Sequence, residues 1–76
     1  MDYYKLRSRI FLDIKNHLRN NQDLIDKGMT PPPFSLFMSR LIADYGATNK
    51  MVKNMIEDLI PGATIKNGEI VAKNEE

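Results

Sequence analysis

The residues whose types and spacing offer chemistry gather at Thr48-Asn49-Lys50 and Lys53-Asn54. A carboxamide presents a donor and an acceptor side by side, and an ammonium group presents three donors and a full charge. That combination reads hydrogen-bonding edges and anions and does not by itself make or break bonds. Arg40 adds a cation upstream, and Lys66 and Asn67 add polar groups downstream. A plain solvated helix face would also look like this, since amphipathic helices turn such residues to water.

Bond-making chemistry finds little support. His17 stands alone between Ile14 and Leu18, and there is no cysteine, so thiolate nucleophiles, disulfides and thiolate metal sites are excluded. His17 reads as a boundary residue. Asp23/Asp26 and Glu57/Asp58 are acidic pairs without a Gly-rich loop or a metal-ligand spacing beside them. Gly28, Gly46, Gly62 and Gly68 are scattered punctuation rather than a phosphate cradle. No enzymatic activity, metal or cofactor is expected.

The elements that position these residues follow from periodicity. With Asp2 as N-cap, residues 3–20 predict a helix, because Tyr3, Leu6, Ile10, Ile14 and Leu18 recur at three- and four-residue spacing with Phe11 beside them. Tandem Asn20-Asn21 lowers helix propensity and predicts its end there, fraying through Gln22. Leu24 and Ile25 belong to a last turn closed by Gly28, and Pro31-Pro32-Pro33 predicts a stiff extended connector. Met29-Thr30 is the only stretch in this region with room for a strand, and that strand is expected to be vestigial or missing.

A second helix is predicted from Phe34 to Tyr45 by Phe34, Phe37, Met38, Leu41, Ile42 and Tyr45. Gly46 suits a left-handed C-terminal residue, and Thr48 suits the N-cap of a third helix, 49–59, with Val52, Met55, Ile56 and Leu59 inward. Pro61-Gly62 ends it. Asn67-Gly68 demands a type I′ hairpin turn, with positive φ at both positions. The register then pairs Lys66 with Glu69, Ile65 with Ile70, Thr64 with Val71 and Ala63 with Ala72. Ala63, Ile65, Ile70 and Ala72 share the face expected to lie on the core. Residues 73–76 read as a loose tail. The fold class is mainly α with a C-terminal β-hairpin, in a single domain spanning 1–76.

Helix, glycine turn, helix and hairpin over 34–73 resemble the winged helix-turn-helix family, a match that covers about half of the chain. With Gly46 at the turn position, the family's buried positions fall on Leu41, Tyr45, Ala47, Val52 and Met55, and its outward positions on Thr48, Asn49, Lys50, Lys53 and Asn54. Ile42 departs from the pattern, which prefers a small residue there. The length and element order are similar to small winged-helix regulators of archaeal viruses and plasmids. The resemblance implies a transcriptional regulator that binds double-stranded DNA, with the third helix in the major groove. Asn49 or Asn54 would contact adenine, Lys50 or Lys53 guanine or a phosphate. It implies that Lys66 and Asn67, at the wing tip, reach the minor groove or flanking phosphates. Two alternatives stay open there: Asn67 serves its φ angle, and Lys66 pairs with Glu69. Arg40, with Ser35 and Ser39, is a phosphate candidate or simply polar.

Composition bounds the rest. Seventy-six residues with 42% hydrophobic and 28% charged side chains make one small globular domain. Residues 1–7 lack a signal peptide's apolar core, and no run approaches the roughly 20 apolar residues needed to span a bilayer. A cytoplasmic setting without membrane association is expected. Eleven Lys and Arg against ten Asp and Glu leave a net charge of +1, low for a DNA binder and equally suited to a winged-helix protein-interaction module. Lys5, Arg7, Arg9, Lys15 and Arg19 make the first helix basic, which fits a solvated face or a contact to flanking DNA. Tyr3 and Tyr4 offer a surface for a homodimer, which would suit a palindromic site.

Overall fold

The computed structural model describes residues 3–75. The chain divides into two compact units, Met1–Pro32 and Pro33–Glu76. No helix among the described residues is long and apolar enough to cross a membrane.

The first unit is one helix, α1 (Tyr3–Asp26). Ile10 and Ile14 are fully buried, Leu6, Phe11 and Leu18 are half-buried, and Tyr3 is exposed. The Asp2 N-cap lies outside the described residues. The helix does not stop at Asn20 as the propensity of tandem asparagines suggested. It runs six residues further, and side chains one turn apart support the extension: Asn21 bonds His17 at 3.2 Å and Gln22 donates to Asp26 at 3.0 Å. Gly28 (φ 79°) then ends it, with Met29 N–H donating to Leu24 O and Gly28 N–H to Ile25 O, both at 2.9 Å. This pair of bonds is a Schellman motif.

The second unit holds α2 (Phe34–Tyr45), α3 (Asn49–Leu59) and a hairpin of β1 (Ala63–Lys66) and β2 (Glu69–Ala72). Gly46 takes φ 68°, ψ 25° and donates its N–H to Ile42 O, ending α2. Two residues later Thr48 Oγ1 accepts the Met51 N–H at 3.1 Å and starts α3. Leu41, Ala47, Val52 and Met55 are buried and Tyr45 is half-buried, as the helix-turn-helix pattern requires. Ile42, the bulky departure from that pattern, is 41% exposed, so its bulk lies outside the packed seam. No strand forms at Met29-Thr30. The layout is that of a winged helix: three helices and a C-terminal antiparallel hairpin.

The hairpin keeps the expected register, and its turn has φ 53° at Asn67 and 79° at Gly68. Its burial differs from expectation. Ala63 is buried, but Ile65 and Ile70 are only half-buried and Ala72 is exposed, while Thr64 on the opposite face is completely buried. Thr64 tolerates this because its hydroxyl donates to Glu57 Oε2 at 2.7 Å, which satisfies the buried polar group. The tail also differs. Residues Lys73–Glu75 form a 3₁₀ turn, with Lys73 N–H donating to Gly62 O at 2.7 Å and Lys73 Nζ lying 3.9 Å from Glu57.

Candidate nucleic-acid interface

Along α3, Asn49, Lys50, Lys53 and Asn54 lie on the side away from the buried Val52, Met55 and Ile56. Across from them stands the hairpin. Between the two runs a cleft of about 720 Å³ lined by Asn49, Lys50, Lys53, Asn54 and Glu57 of α3, by Ile65, Asn67 and Gly68 of the hairpin, and by Met38 of α2. Five of the residues singled out from sequence therefore line one concavity. Thr48 is not part of the lining and serves as the cap of α3.

Two of the selected cations are not part of that lining. Side chains alternate along a strand, so Lys66 projects from the face opposite Ile65. On α2, Arg40 follows Met38 by two residues, which carries it well around the helix from the side that faces the cleft. Both are exposed. The cationic part of the cleft is thus the pair Lys50 and Lys53, and Glu57, one turn after Lys53, adds a carboxylate to the same lining.

Glu69 is the functional group that sequence reading missed. Its Oε2 accepts the Phe34 N–H at 3.0 Å and its Oε1 the Ser35 N–H at 3.1 Å, so one carboxylate caps the N-terminus of α2. Bonds from Ser35 and Phe34 hold the Glu69 carboxyl below its ordinary pKa, the Ser35 side chain contributing most. The helix dipole favours a negative charge at this point. Gly68 packs so close to Ser35 that a Cβ added there would lie 3.1 Å from the Ser35 Cβ. Thus the hairpin tip is fastened to α2, and Ser35 is engaged in the fold. Ser39 donates its hydroxyl to Ser35 O. A signal for Glu69 did exist. Pro33 cannot cap α2 with a side chain and no acid stands in its first turn, so an acceptor for the orphan N–H groups had to come from elsewhere.

His17, half-buried, bonds Asn21, and burial lowers its pKa from the ordinary imidazole value, favouring the neutral ring. Comparison with protein families, with curated proteins and with solved structures returned no match.

Proposed function

We propose that the protein binds double-stranded DNA sequence-specifically and acts as a transcriptional regulator. The observation that carries this reading is the single cleft lined by Asn49, Lys50, Lys53, Asn54 and Asn67. In it the first turns of α3 enter the major groove. Asn49 and Asn54 present the paired donor and acceptor that match an adenine edge, and Lys50 and Lys53 reach guanine or a phosphate. The hairpin tip, held by Glu69, stands beside the flanking backbone or minor groove, with Asn67 facing the cleft. Phosphate contacts give affinity and the amides give specificity.

Low net charge supports a second reading, a winged-helix module that docks a protein and leaves DNA alone; Leu36, 64% exposed on α2, would suit such a contact. Fluorescence anisotropy on mixed-sequence duplex DNA at two salt concentrations separates the two. The DNA reading expects binding that weakens steeply with salt, and a Lys50→Ala/Lys53→Ala variant with weaker binding and a shallower salt slope. Absence of binding by the wild type at low salt would reject it in favour of protein docking.

A further inference from the structure

The charges are divided unevenly. The unit that carries the cleft, Pro33–Glu76, holds five Lys and Arg against six Asp and Glu, so by itself it is net negative. The net charge of that unit therefore adds nothing to the attraction of its lysines for a polyanion. The positive charge of the chain lies in α1, whose five cations face three carboxylates, Asp13, Asp23 and Asp26; all five cations and only Asp13 fall within residues 3–19.

Four of the five, Lys5, Arg9, Lys15 and Arg19, are exposed, and among the described residues none of the four is paired with a carboxylate. Lys5 and Arg9 are four residues apart, as are Lys15 and Arg19, so each pair sits on one helix face, where like charges are mutually destabilising. Asp13 is half-buried and already engaged. From Lys5 to Arg19 the stripe spans about 21 Å at 1.5 Å per residue. A duplex presents one negative charge per about 1.7 Å of its axis, so such a length faces many phosphates. Of the large apolar side chains exposed on α1 among the described residues, Tyr3, Tyr4, Leu12 and Ile25, only Leu12 lies between Lys5 and Arg19. That is too little to seat a helix in an acyl layer, and it favours a phosphate backbone over a membrane.

We infer that the exposed face of α1 is a second DNA-contact surface, sequence-independent, which supplies the electrostatic affinity that the cleft-bearing unit lacks. This inference rests on the DNA reading given above. It assigns Lys5, Arg9, Lys15 and Arg19 to phosphates and leaves base readout to α3.

The test is the salt dependence of duplex binding for three proteins: wild type, Lys5→Gln/Arg9→Gln/Lys15→Gln/Arg19→Gln, and Lys50→Ala/Lys53→Ala. Glutamine has nearly the helix propensity of the residues it replaces, and circular dichroism confirms that the fourfold variant is folded. The expected result is a fourfold variant whose log–log salt slope is smaller by about 3.6, at about 0.9 for each of the four phosphate contacts. Its affinity should fall more than tenfold at low salt, and equally on every duplex sequence. A fourfold variant within twofold of wild type, while the Lys50/Lys53 variant is impaired, overturns the inference and leaves the DNA reading standing. Wild type that fails to bind any duplex at low salt overturns both. Tighter binding of wild type to phosphatidylserine vesicles than to duplex, abolished by the fourfold change, assigns α1 to membranes and overturns the inference too.

Discussion

Glu69 faces Lys66 across the hairpin, and its carboxylate caps α2 instead. A carboxyl group whose pKa is lowered by folding contributes stability above its unfolded pKa, and that contribution is lost as pH falls through the folded value. Thermal melts from pH 7 to pH 3 should therefore show a loss of Tm that sets in below about pH 4.5, the ordinary value for this group. Glu69→Gln should have a lower Tm at pH 7 and a shallower decline in that acid window. An unchanged decline would show that Glu69 does not govern it. Thr64 makes a second prediction at this scale. Thr64→Val keeps the shape but removes the donor to Glu57, and hydrogen bonds to charged groups are worth about 1.5–3 kcal/mol. A urea titration should show a loss of about 2 kcal/mol, reduced somewhat by the greater strand preference of valine.

Among the elements, the turns differ in what holds them. Gly46 and Gly68 both have positive φ, but a Cβ at Gly46 meets open space whereas one at Gly68 meets Ser35. Gly46→Ala should cost only the left-handed backbone penalty, about 1–2 kcal/mol. Gly68→Ala should cost more, because the same penalty comes with displacement of the hairpin tip from α2; parallel denaturation curves rank the two. Local turn chemistry was legible in the sequence, since a left-handed glycine, a threonine cap and an Asn-Gly turn act within a few residues. The end of α1 was not. Low asparagine propensity is a small effect, of a few tenths of a kcal/mol per residue, and the bonds Asn21–His17 and Gln22–Asp26 with the Gly28 closure outweigh it.

For the whole molecule, small size makes each buried side chain weigh heavily. Stability on the order of 0.05–0.15 kcal/mol per residue gives a 76-residue chain about 4–11 kcal/mol. Ile56 is completely buried; Ile56→Ala should cost about 2–5 kcal/mol. Calorimetry on that variant should find a strongly lowered Tm or no folded state at 37 °C. Charge also acts at this scale. A net of +1 conceals a basic α1 and an acidic remainder, so the salt dependence of any duplex binding should respond to substitutions in α1 as well as in the cleft.

The sequence alone determined the second and third helices, the Gly46–Thr48 turn and the hairpin register, because periodicity and φ preferences are properties of neighbouring residues. Tertiary structure decided which of the polar residues meet. It put Asn67 across a cleft from Lys50 and Lys53, kept Arg40 and Lys66 out of its lining, buried Thr64 and joined Glu69 to Phe34 and Ser35. Those last bonds cross 34 and 35 residues of chain. An uncapped helix announces that it needs an acceptor, but only the packing of the hairpin against α2 determines which carboxylate arrives.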